Sequence, residues 1–147
     1  KKYFTIHESN LPKGRGFSPI KHQIMKGKKN IICSCIILNN KIDAGKIIFK
    51  DKLKINKSDF FDEIKKKQMN VTVNMLARLI NNYPKNVKAA KDQKGKASYF
   101  KKLTKESDKI NINKSLISQI DKIRSTNYFE YKNFFYFKKR KFFLKIY

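Results

Sequence analysis

A histidine at position 7 and an aspartate at position 43 are the side chains whose types, taken together, can hold and move a proton near neutral pH. Downstream of the histidine runs Glu8-Ser9-Asn10-Leu11-Pro12-Lys13-Gly14-Arg15-Gly16-Phe17-Ser18-Pro19, and Asp43 opens the triplet Asp43-Ala44-Gly45. Two prolines and two glycines in so short a stretch predict an ordered loop. Glycine at 14 and 16 lets backbone come close to a partner, and Arg15 between them offers a planar fork of five donors. Taken singly, each residue has a plainer explanation: a histidine ending a strand is often only solvated, and Asp before Ala-Gly is often a turn former. Their combination points to a site.

The elements that must position these groups are legible around them. Tyr3-Phe4-Thr5-Ile6 reads as a short strand that delivers His7, and alternation puts Thr5 on the same face. Ser18 is the expected N-cap and Pro19 the first residue of a helix that Gly27 closes. Strand, loop and helix N-terminus in that order is how α/β sheets build ligand sites. A buried strand is predicted from Ile31 to Leu38 and a second from Ile47 to Ile55, with the Asp43 loop between them. Ser58 is the expected cap of a long helix carrying Phe60, Ile64, Val71, Met75, Leu79 and Ile80 at helical spacing, stopped by Tyr83-Pro84. Residues 1–84 thus form a main body. Residues 85–110, polar and with a turn at Asp92-Gln93-Lys94-Gly95, are expected to act as a linker. Residues 111–147 form a tail: a short helix capped by Asn113 that presents Leu116, Ile117, Ile120 and Ile123, then a hairpin of Tyr131–Phe137 and Lys141–Tyr147.

The net charge of +25 invites a polyanion as partner, but lysines outnumber arginines 32 to 4 and are spread over every segment. Compositional bias explains that pattern better than an arginine-based reader of nucleic acid, although such a surface binds polyanions weakly at low salt. The tail aromatics Phe134, Phe135, Tyr136, Phe137, Phe142 and Phe143 are expected to pack one sheet face on the preceding helix, with the other face against the main body or a second subunit of a homodimer. Cys33 and Cys35 share one face of a buried strand and are expected to stay reduced. A metal needs three or four ligands, and only His7 and His22 are at hand, so no metal is expected. No apolar run approaches the ~20 residues of a bilayer span, so no membrane partner is expected and the cytoplasm is the expected setting.

The spacing H-x-S-x-L-P-x-x-R-G-x-x-P, filled by His7, Ser9, Leu11, Pro12, Arg15, Gly16 and Pro19, resembles the signature of the folate-dependent formyltransferases. Asp43 and Gly45, thirty-six residues after the histidine, match the family's second signature, Asp-x-Gly. The resemblance implies an α/β fold: the C-terminal half of a Rossmann-like formyltransferase domain plus a small helix and β-hairpin tail, lacking the strands that precede the histidine in the family. A domain divided there leaves a strand edge unpaired. The resemblance also implies a formyl donor, 10-formyltetrahydrofolate, with Leu11, Pro12, Arg15, Gly16, Asp43 and Gly45 at the cofactor. His7 and Asp43 fall on catalytic positions, and Thr5 stands where the family has an asparagine.

The implied reaction moves a formyl group to an amine, which needs a hydrogen-bond donor for the oxygen and an acceptor for the amine's proton. Three outcomes follow for the whole chain. The tail, similar to that of sugar-acting members, implies the amine of a nucleotide-linked amino sugar as acceptor. Methionyl-tRNA formyltransferase, acting on tRNA, is the alternative. An inactive truncated remnant is the third.

Overall fold

The structure is a computed structural model that describes residues 2–129 and 132–146. Tyr131 and Tyr147, the expected outer ends of the tail hairpin, lie outside the described residues. The frame is a mixed α/β arrangement around a three-stranded sheet whose middle strand, 30–37, lies between strands 4–7 and 47–54. Its strands are β1 (Phe4–His7), β3 (Asn30–Ile37) and β4 (Ile47–Lys54). Both pairings are antiparallel, with Thr5 opposite Ile36 and His7 opposite Ser34. β1 is therefore an edge strand of this sheet. The ladder between β3 and β4 slips between Cys35 and Ile36, next to the turn that carries Asp43, as a bulge does where a chain must be re-aimed.

Alternation along β3 sends Ile31, Cys33 and Cys35 to one face, where Leu53 and Ile55 join them. The helix α1 (Pro19–Ile24) adds Ile24, and the long helix α2 (Phe61–Asn81) adds Ile64, Met75 and Leu79. Burial pushes the Cys33 thiol up to about 12, helped by the charges of Glu8 and Asp51, and the Cys35 thiol up to about 11. Both are free cysteines.

Several local expectations are corrected. Ser18 stands before α1, but its φ of 47° is left-handed and its hydroxyl caps nothing. α2 begins at Phe61, two residues later than a Ser58 cap requires, because Phe60 N–H donates to Glu63 Oε2 at 3.0 Å. Ile80 is 71% exposed, since one step past Leu79 turns it about 100° away from the core face. The tail helix α4 (Ile120–Arg124) is short and follows a 3-10 turn, Ile117–Gln119; Asn113 caps neither, and Leu116 and Ile117 are exposed.

Residues 85–110 hold α3 (Lys85–Lys88), the two-residue strand β5 (Tyr99–Phe100) and a 3-10 turn at Lys105–Asp108. Lys91 and Ile47 exchange backbone hydrogen bonds of 2.8 and 2.9 Å, and β5 pairs in parallel with β2 (Arg15–Gly16). This stretch runs along the loop after His7 and is bonded to it. Asp108 is buried, ion-paired with Lys21, and accepts the Thr126 hydroxyl. The tail hairpin consists of β6 (Phe134–Phe137) and β7 (Arg140–Phe143), turned by Lys138 and Lys139, both at positive φ.

Candidate functional site

β1 ends at His7, which is 7% exposed, and the chain then turns sharply: Ser9 N–H donates to His7 O, and Leu11 N–H to Ser9 O. The loop is pinned from below by Ser34, opposite His7, whose hydroxyl donates to Ser9 O at 2.7 Å. Leu11 is completely buried, and its carbonyl accepts from Lys50 Nζ at 2.9 Å. Burial lowers the pKa of Lys50. Pro12 O accepts Ser98 N–H.

The imidazole and the carboxylate, separated by thirty-six residues, meet. His7 Nδ1 lies 3.5 Å from Asp43 Oδ2. Both are tied to the same short stretch: His7 Nε2, on the far side of the ring, is 2.8 Å from Gly14 O, and the Asp43 Oδ2 that faces Nδ1 also accepts Gly16 N–H at 2.8 Å. A carbonyl oxygen only accepts, so Nε2 carries the hydrogen in that contact. In the neutral ring Nδ1 then presents a lone pair toward a carboxylate oxygen, two acceptors facing each other. That gap is satisfied by a hydrogen between them: a proton on the pair, or a donor such as an amine N–H brought in by a bound molecule. The geometry thus sets an imidazole nitrogen against a carboxylate oxygen, with both side chains held by the backbone of residues 14–16.

Asp43 holds this position at a φ of 48°, an unusual conformation for a residue with a side chain. A Cβ on Gly45 would run into the Ile37 carbonyl, so only glycine lets the Asp43 turn press against the end of β3. At Gly16, φ is 97° and a Cβ would stand 2.6 Å from Phe100 O, which explains a glycine beside β5. The backbone N–H groups from Gly14 to Phe17 are all taken up inside the chain: by Ser98 Oγ, Ser98 O, Asp43 Oδ2 and Phe100 O in order. The Arg15 guanidinium is engaged as well, donating to Gln93 Oε1 through Nε and Nη2 and to the Tyr99 hydroxyl through Nη1.

The expected site residues therefore separate into two groups. His7 and Asp43, with Thr5 half-buried on the strand face it shares with His7, form the polar end of the arrangement. Among the described residues the Thr5 hydroxyl has no hydrogen-bond partner. Leu11, Pro12, Arg15, Gly16 and Gly45 form the frame that holds that end. Gln93 and Ser98 join this frame unforeseen; nothing in the periodicity of the 85–110 stretch marks them. His22 stacks on Phe100 with its ring 4.7 Å away. A cavity of about 830 Å³ opens between Phe17, Ile20, Phe61 and Leu103; neither His7 nor Asp43 lines it.

Residues 1–80 match the formyl transferase family. The chain belongs to that family. It is 33% identical over 129 residues to the methionyl-tRNA formyltransferase of Orientia tsutsugamushi, covering 86% of this chain and 42% of that protein. The solved methionyl-tRNA formyltransferase of Clostridium thermocellum superimposes with a TM-score of 0.79 at 26% identity, covering 94% of this chain and 59% of that one. The N-formyltransferase of Helicobacter canadensis, solved with folinic acid and dTDP-3-aminofucose, shares the fold at 22% identity and a TM-score of 0.71, covering 92% of this chain and 51% of that one. The chain spans between 36% and 46% of the length of the curated relatives it matches.

Proposed function

We propose that this chain carries the proton-accepting end of a formyltransferase active site, acting on an amine with a folate-bound formyl donor, 10-formyltetrahydrofolate. The observation that carries it is the His7–Asp43 gap of 3.5 Å, with each side chain held by the backbone of residues 14–16 and the gap in need of a hydrogen. An amine gaining a formyl group must lose a proton, and the pair stands ready to receive it. Gly14 O orients the imidazole through Nε2, Gly16 N–H orients the carboxylate, and Thr5 supplies a hydroxyl beside them in place of the family's asparagine. The donor supplies the one-carbon unit; folinic acid in the Helicobacter canadensis structure supports a folate as its carrier.

For the acceptor, methionyl-tRNA is the better-supported reading. The relatives at 30% identity and above carry that name, whereas the sugar-acting protein at 22% shares the fold. A net charge of +25 suits a polyanionic acceptor. This reverses the order drawn from the tail, where an amino sugar came first. The expected setting remains the cytoplasm, where the Cys33 and Cys35 thiols stay reduced. No helix among the described residues is long and apolar enough to cross a membrane.

The test supplies the protein with 10-formyltetrahydrofolate and offers methionylated initiator tRNA and a dTDP-linked amino sugar in parallel. Formylation of the tRNA, weakening as salt rises, supports the reading. Formylation of the sugar alone overturns the acceptor assignment, and formylation of neither overturns the function.

A further inference from the structure

We infer that Gln93 is a positioning residue that sets the Asp43 carboxylate beside His7, a role that rests on the reaction proposed above. Its side-chain amide is fully used. Nε2 donates to Asp43 O at 2.8 Å and to Gly45 O at 2.9 Å, gripping the Asp43 turn at both ends. Oε1 accepts from Arg15 Nη2 at 2.7 Å and Nε at 3.2 Å. Arg15 sits between Gly14, whose carbonyl receives His7, and Gly16, whose N–H holds Asp43. One side chain therefore ties together the two backbone segments that anchor the two halves of the proton-accepting pair.

Such a tie is needed because Asp43 stays in the left-handed region at a φ of 48°. Relaxing that turn would swing the carboxylate away from Nδ1. The neighbouring Lys46–Asp92 ion pair is solvent-exposed, at 3.5 Å with side chains 55% and 80% accessible, and holds the turn poorly. Glutamine suits the task because it donates to the turn's two carbonyls and accepts from a guanidinium. Glutamate could keep only the second half, since a carboxylate has no hydrogen to give.

The substitution Gln93→Glu separates the two halves, and Gln93→Leu removes both. In the full protein each is expected to lower kcat for formyl transfer by about a hundredfold, the cost of a misplacement near 1 Å, while KM for the formyl donor stays within about twofold. A merely structural role would move both constants together with stability. A second readout needs no turnover: hydrogen exchange at the Gly16 amide, bonded to Asp43 Oδ2, should accelerate at least about tenfold while the amides of β3 keep their protection. Gln93→Glu with wild-type kcat, or Gly16 exchange unchanged in both variants, overturns the inference. If the unsubstituted protein transfers no formyl group, the proposed function fails, and Gly16 exchange alone decides whether Gln93 holds the turn.

Discussion

The site and the tail hairpin both bend the chain through positive φ, yet they restrain it in opposite ways. At the site, Asp43 at 48° is held by Gln93 from fifty residues away and by Gly16 from the facing loop. At the hairpin, Lys138 and Lys139 take φ values of 45° and 64° with no glycine or asparagine to ease them, and the local pairing Phe137–Arg140 closes the turn. The hairpin is fastened at its base, where Ile110 N–H donates to Phe134 O and Leu144 N–H to Asn133 O. Its outer aromatics Phe137, Phe142 and Phe143 remain largely exposed, with Lys141 over the Phe134 and Phe143 rings. A strained turn held by distant groups couples to whatever those groups touch; one held by its own strands relaxes alone.

The difference can be broken or sharpened by substitution. His7→Ala and Asp43→Ala should each lower kcat by roughly 10²–10⁴, the range for a lost acid–base group, with the fold retained and the melting temperature lowered only by the loss of one hydrogen bond each. A steady-state assay beside calorimetry checks this. Gly45→Ala forces a Cβ against the Ile37 carbonyl and should destabilise by about 3 kcal/mol in urea titration, taking the Asp43 turn with it.

Asp59, buried between α2 and α4, offers a stability test away from the site. Burial pushes its carboxyl up, but hydrogen bonds from Lys67 and Asn56 N–H and the charges of Lys67 and Arg124 outweigh this and hold its pKa below the ordinary carboxylate value. Its stabilisation is therefore fully present above about pH 4, the unfolded value, and fades as pH falls through the lower folded value. Asp59→Asn should cost about 2 kcal/mol at neutral pH and flatten the acid limb of the stability curve. Smallest is the hairpin turn: Lys139→Gly should stabilise by about 1 kcal/mol and leave formyl transfer untouched.

The legibility of the sequence divides along the same line. His7 and Asp43 could be paired because the motifs around them, rich in proline and glycine that fix backbone shape, resemble the two signatures of the formyltransferases at the family's spacing. Gln93 could not. It is one glutamine in a polar stretch, and β5, only two residues long, shows no alternation to betray a strand. Its meaning lies in contacts across forty-eight and fifty positions. Ser18 and Ser58 have the chemistry of caps, but a left-handed φ removed one from use and Glu63, through the backbone of Phe60, displaced the other. Ile80 fits a helical period loosely and falls on the far side, where Met69, Val73 and Leu76 make a second apolar face. Local residue type was readable; which of two neighbouring faces meets the core depends on packing.

The central claim is that His7 and Asp43 act as one proton-accepting unit. A double-mutant cycle on formyl transfer tests it most directly: His7→Ala, Asp43→Ala and the two combined. If the pair is one unit, the double variant is no slower than the slower single variant. Losses that multiply would show two independent contributions and contradict the account.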